Sequence, residues 1–86
     1  MGMADNPIIL PVTMEEIDDG RVLLYTSAIQ GCLAEGDDLE DAILNIEDVA
    51  RVLLEVREEY GDEIPPGMSD FRNRGFRAQV QSRFPV

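Results

Sequence analysis

The sequence predicts an α+β domain: a three-stranded antiparallel meander followed by one long helix. Three observations predict it. Apolar and β-branched residues gather in three short runs before residue 36, and the links between those runs are short and hold Asp19-Gly20 and Gly31. A single apolar stripe at helical spacing then occupies residues 39–60. At 86 residues the chain makes one small domain. A core this thin leaves stability marginal, and self-association is expected.

Residues 1–7 read as a flexible leader. The first strand lies in Ile8-Ile9-Leu10-Pro11-Val12-Thr13-Met14, where alternation puts Ile8, Leu10, Val12 and Met14 on one face. Pro11 has no amide proton, which favours an edge position or a strand that starts there. Residues 15–20 form a polar turn ending in Asp-Gly, a pair that accepts the positive φ of a tight hairpin. The second strand is expected over residues 21–27 and a short third over 32–35, closed by Gly36-Asp37. Short links between successive strands imply antiparallel pairing.

The helix is expected from about residue 39 to residue 60, with Asp38 as N-cap and Asp41 three residues on, in the manner of a capping box. Leu39, Ala42, Ile43, Ile46, Val49, Ala50 and Leu53 make its apolar stripe. Leu44, Val52 and Val56 lie off that stripe; they are either contacts to a second protomer or scattered surface aliphatics. Gly61 stands where a helix ends in the left-handed conformation. Residues 62–67 are extended or turn-like around Pro65-Pro66, and a short fourth strand would be added there.

The balance of 7 basic and 18 acidic residues gives a net charge of −11. It is unevenly spread: residues 1–67 hold three arginines against 17 acids, whereas residues 68–86 hold four arginines against Asp70 alone. The expected organisation is thus an acidic domain over residues 8–67 and a basic, aromatic tail over 68–86. The acidic body repels phosphate, so direct nucleic-acid binding is not expected and a basic protein is the better partner. The tail interleaves Phe71, Phe76 and Phe84 with Arg72, Arg74, Arg77 and Arg83. It could dock on a neighbouring subunit, remain disordered, or stack on single-stranded nucleic acid; three phenylalanines favour docking.

The chain has no histidine, lysine or tryptophan and a single cysteine, Cys32. That excludes histidine-dependent nucleophilic triads, Schiff-base and P-loop lysines, histidine-ligated metals and an internal disulfide. Only Glu15, Glu16 and Glu35 stand at the strands, near their ends, which is a poor basis for a metal-dependent nuclease. Cys32 reads as a small buried hydrophobe, and Tyr25 and Tyr60 as packing residues. No catalytic, cofactor or metal residues are expected. A reducing cytoplasm fits the cysteine usage, and no apolar run is long enough to span a membrane.

Several segments share a further pattern. Pro11-Val12 leads into Thr13-Met14-Glu15, and Asp19-Gly20 precedes the strand that holds Tyr25. Gly31-Cys32, Gly36-Asp37 and Glu40-Asp41-Ala42 follow at fixed spacing. In these motifs and their order, residues 8–67 resemble the HicB-like antitoxin family, with no gap between Asp19 and Ala42. Ser27 and Gln30 replace two signature prolines, Ala28 an aspartate, and Asp38 a threonine. The resemblance implies a truncated ribonuclease H-like fold. It also implies neutralisation of a small basic mRNA-cleaving toxin, HicA. Longer members add a C-terminal DNA-binding module, for which the residues after Gly67 are too few. The expected function is therefore capture of a small basic toxin by a homo-oligomer, a dimer or tetramer. A homo-oligomeric structural or regulatory module without a toxin is the alternative. Asp37, Glu40, Asp41, Glu47, Asp48 and Glu55 are the expected partner-binding acids. Leu44, Val52, Val56, Phe71, Phe76, Arg72 and Arg77 are the expected contacts between protomers.

Overall fold

A computed structural model describes residues 6–83 of the chain. Four strands and two helices follow in the order β1 (Ile8–Asp18), β2 (Arg21–Tyr25), β3 (Leu33–Gly36), α1 (Leu39–Glu59), α2 (Phe71–Arg74) and β4 (Phe76–Arg83). The architecture is α+β, with α1 lying on one face of a single sheet whose strand order is β3-β2-β1-β4. The first three strands pair antiparallel, as expected of a meander. The sheet as a whole is mixed, because β4 runs parallel to β1.

Strand β1 extends beyond residue 14 and takes in Glu15, Glu16, Ile17 and Asp18. These residues are expected in a turn, but Glu15, Glu16 and Asp18 pair with Leu23, Val22 and Arg21, with Ile17 as the bulged residue between Glu16 and Asp18. The hairpin itself is Asp19-Gly20, both with positive φ (41° and 85°), which matches the twist of the flanking strands. Ile8, Leu10, Val12 and Met14 are all buried, as their alternation predicts.

Pro11 is not on an edge strand, since β1 lies between β2 and β4. The geometry shows why a central strand tolerates it. The Ile8 amide donates to the Gly75 carbonyl, on the β4 side. Backbone groups alternate in direction along a strand, so the nitrogen of Pro11 points toward β2. Pairing with β2 begins only at Thr13, opposite Tyr25. The missing proton therefore falls past the end of β2 and costs no ladder bond.

Helix α1 matches its sequence signals at both ends. The Asp38 side chain accepts from the Asp41 amide at 2.9 Å, and the Asp41 carboxylate accepts from the Asp37 amide at 2.9 Å. At the other end Gly61 has φ of 74°. Its amide donates to Glu58 O, and that of Asp62 donates to Arg57 O, a Schellman closure. Ala42, Ile46, Ala50 and Leu54 are buried against the sheet, with Leu39, Ile43, Val49 and Leu53 packed partly around them. The largest surprise lies after residue 67. The fourth strand is not in residues 62–67, and the presumed tail is part of the domain. Met68 and Phe71 enter the core, and residues 76–83 form β4. Alternation explains it: Phe76, Ala78 and Val80 pack toward the core, while Arg77, Gln79 and Gln81 are exposed on the other face. Phe84 lies outside the described residues. Asn6 and Pro7, the described end of the expected leader, offer their carbonyls to Arg74.

The tightest contact is where β3 turns into α1. A Cβ on Gly36 would stand 2.6 Å from Ala42 Cα and closer still to the Ala42 nitrogen. Both are backbone atoms that cannot rotate away. Gly36→Ala is expected to lower stability by about 2–3 kcal/mol or more, the range for forced overpacking. Urea unfolding checks this, and an unchanged midpoint would contradict the close approach.

Candidate partner-binding surface

The acidic residues expected to form one partner-binding face are split by the fold into different tasks. Asp37 pairs with Arg21 at 2.9 Å, and Arg21 also binds Glu35 at 2.6 Å. Asp41 is taken up by the helix cap. Glu47 reaches sideways to accept the Ala78 amide of β4 at 2.8 Å. Asp48 and Glu55 flank Arg51 along the helix, and Glu55 also faces Arg72 at 3.5 Å. Among the described residues, Glu40 of the expected set has no ion-pair partner. Most of the set is thus already partnered within the chain. Asp37, Glu40, Asp41 and Asp48 are still solvent-exposed, Glu47 and Glu55 are half-buried, and together they contribute to the electronegative field of the helix side.

Two of these side-chain bonds serve the sheet edges. Asn45, on one flank of α1, donates to the Glu35 carbonyl of edge strand β3 at 2.8 Å. Glu47, on the other flank, accepts from edge strand β4. Exposed strand edges invite pairing with other chains, and side chains that occupy their backbone groups reduce that tendency. Neither role was visible in the sequence, because Glu47 reads as one acid among many and Asn45 as a polar surface residue.

The expected contacts between protomers also separate. Leu44, Val52 and Val56 are exposed, at 63%, 41% and 43%. Phe71 is 1% exposed and fills the core, so it cannot be a contact to a second copy. Phe76 is half-buried and stacks on it, with ring centroids 6.5 Å apart. Both were expected outward because they were read as part of a tail. Arg72 lies over the Phe71 ring at 5.2 Å and binds Glu58 at 2.9 Å. Between α1 and α2 a hollow of about 490 Å³ is lined by Glu55, Glu58, Glu59 and Arg72. Arg77 points from β4 to the face of the sheet away from α1.

That face is the second candidate surface, and sequence reasoning overlooked it. Among the described residues no element covers it. Ile9, Pro11, Leu23, Tyr25 and Leu33 alternate there with buried neighbours, and Thr13, Gln79 and Gln81 lie among them. A bulge that makes Gln81 an extra residue in β4 leaves a hollow of about 280 Å³ lined by Pro11, Thr13, Tyr25, Ser27 and Gln81. The odd-numbered positions of β1 carried the signal, since Ile9 and Pro11 put apolar side chains on the side alternation assigns to solvent.

Among the described residues no group of three or more carboxylates or thiols converges as a metal site would require. No helix among them is long and apolar enough to cross a membrane. Comparison with protein-family models, curated proteins and solved structures gives no match to this chain.

Cys32 is 2% exposed in the loop ahead of β3. Burial pushes its thiol up to about 11 from the ordinary 9.0. The folded state therefore holds the proton more tightly than the unfolded chain. The resulting stability is complete below pH 9.0 and is lost as pH rises toward about 11. The loss should total about 2–3 kcal/mol, and Cys32→Ala should remove it. Urea midpoints of both proteins across that range provide the check, and parallel pH profiles would contradict the burial account.

Proposed function

We propose that the chain is a HicB-like antitoxin or antitoxin-related protein, which binds a small basic mRNA-cleaving toxin and performs no catalysis itself. The observation that carries this reading is the electronegative outer side of α1. Glu40, Asp48, Glu55 and Glu59 are set there around Leu44 and Val52, with Arg51 interspersed and Arg72 reaching Glu55 from the side. Apolar side chains ringed by carboxylates suit a partner that presents basic residues around an apolar contact. A nuclease binds RNA through a basic surface, and a proteinaceous anion held over that surface excludes the phosphate substrate.

Two further features support the reading. An antiparallel meander carrying one long helix on one face is what a truncated ribonuclease H-like fold calls for. The Gly36-Asp37 motif sits at the closest strand–helix approach, where the family pattern also places a Gly-Asp pair. The hollow beside Glu55, Glu58 and Glu59 offers a place for an arginine of the partner in competition with Arg72.

The test is co-expression of the chain with the reading frames that flank its gene, followed by purification and mass spectrometry. A short basic, histidine-containing partner is expected to co-purify. The complex should weaken as salt rises, and Asp48→Arg combined with Glu59→Arg should reduce affinity at least about tenfold. Recovery of the chain free of any basic partner at low salt would overturn the proposal.

A further inference from the structure

The uncovered face of the sheet differs from the rest of the molecule in charge. Its strand side chains include two arginines, Arg21 and Arg77, and three acids, Glu15, Asp18 and Glu35, and Arg21 also pairs with Asp37 beyond the end of β3. On a chain of net charge −11 this face is only weakly acidic, and Arg21 is already held by Glu35 and Asp37. The charges are also sorted along the strands. Arg77 lies opposite Ile9, at one end of the β1–β4 pair. Glu15, Leu23 and Glu35 form one cross-strand row near the other end. Between the two ends the face presents Pro11, Tyr25 and Leu33.

We infer that this face is the contact between two copies of the chain, packed sheet to sheet about a two-fold axis with their strands antiparallel. Only an antiparallel arrangement brings the Arg77 end of one sheet over the Glu15 end of the other, and the two-fold makes the pairing twice. The side chains between interdigitate as in the core of a β-sandwich, at a sheet spacing of about 10 Å. Helix α1 stays on the outside of both copies, so its acids remain free.

Self-association through Leu44, Val52 and Val56 has the opposite electrostatics. It would bring Asp48 and Glu55 of each copy against the acids of the other, with Arg51 and Arg72 too few to offset them. The sheet face has no such repulsion. Four strands at about 4.8 Å spacing and some five residues at about 3.3 Å rise set a footprint of about 320 Å² per copy, below the roughly 800 Å² per partner of stable complexes and in the range of weak, transient ones. The dimer should therefore be reversible over micromolar concentrations. This inference stands whether or not the toxin reading holds, since it concerns the purified chain alone.

Sedimentation equilibrium of the full chain over about 5–200 µM spans that affinity range. A dimer is expected at the upper concentrations. Arg77→Glu should weaken it at least about tenfold, and so should Glu15→Arg, although the latter lowers the net negative charge and would strengthen association if bulk repulsion governed it. The double variant Arg77→Glu/Glu15→Arg should recover most of the wild-type association. A monomer throughout, or a dimer indifferent to these changes, or a double variant no better than the singles, overturns the proposal. If a variant fails to fold, dilution of the labelled wild type decides instead. Amide shifts that move at residues 9–13, 23–25 and 77–81 support the sheet contact, and shifts confined to residues 44–56 refute it.

Discussion

The junction between β3 and α1 admits no side chain, and the rest of the molecule is arranged around that fact. With hydrogen at Gly36, the first turn of α1 settles onto the end of the sheet with Ala42 against the strand backbone. The following polar contacts hold it there. Asp38 and Asp41 close the turn, Asn45 ties the helix to the Glu35 carbonyl, and Arg21 holds Glu35 and Asp37 from the neighbouring strand. Two residues beyond Asn45, on the opposite flank of α1, Glu47 binds the Ala78 amide of β4. The first half of the helix is thereby tied to both edges of the sheet, and Ala42, Ile46, Ala50 and Leu54 are buried beneath it. Small residues at Gly36, Ala34 and Ala42 lie at the close end, and larger ones fill the wider space beyond.

The helix was the most legible part of the sequence, because its stripe, N-cap and terminal glycine all signal the same element. The hairpin at Asp19-Gly20 was equally plain. Two things were hidden. The acid-rich run from Glu15 to Asp18 conceals a strand, since a ribbon in which even Ile17 is exposed needs no apolar alternation to pair. The alternation Phe76-Arg77-Ala78-Gln79-Val80-Gln81 marks a strand, but the density of arginine there drew attention to charge instead of period. Pro11 misled for a geometric reason: its compatibility with a central strand depends on where β2 stops, which no local pattern records.

The candidate sites were less legible than the fold. Composition identified an acidic chain, but it could not say which carboxylates are spent on the structure itself. Glu47 binds a strand amide, Asp41 a helix cap, and Asp37 an arginine two strands from β4. What remains outward is a narrower set on the helix. Phe71 proved internal, with Phe76 half-buried against it and Arg72 resting on the Phe71 ring. The molecule thus presents two unlike faces, an acidic helix flank and a sheet surface of mixed charge around apolar side chains. The proposed partner and the proposed second copy use one each, so the two associations do not compete for area.

The central structural claim is that α1, the meander and β4 form a single cooperative unit seated at Gly36. Native-state amide hydrogen exchange addresses it directly. Because the Ala78 amide points outward to Glu47, those of Arg77 and Gln79 point to β1. The account predicts that these two amides open with free energies within about 1 kcal/mol of those at Ile46 and Ala50 in the middle of α1. Exchange at Arg77 and Gln79 by a separate, far easier opening, while the helix stays protected, would contradict it.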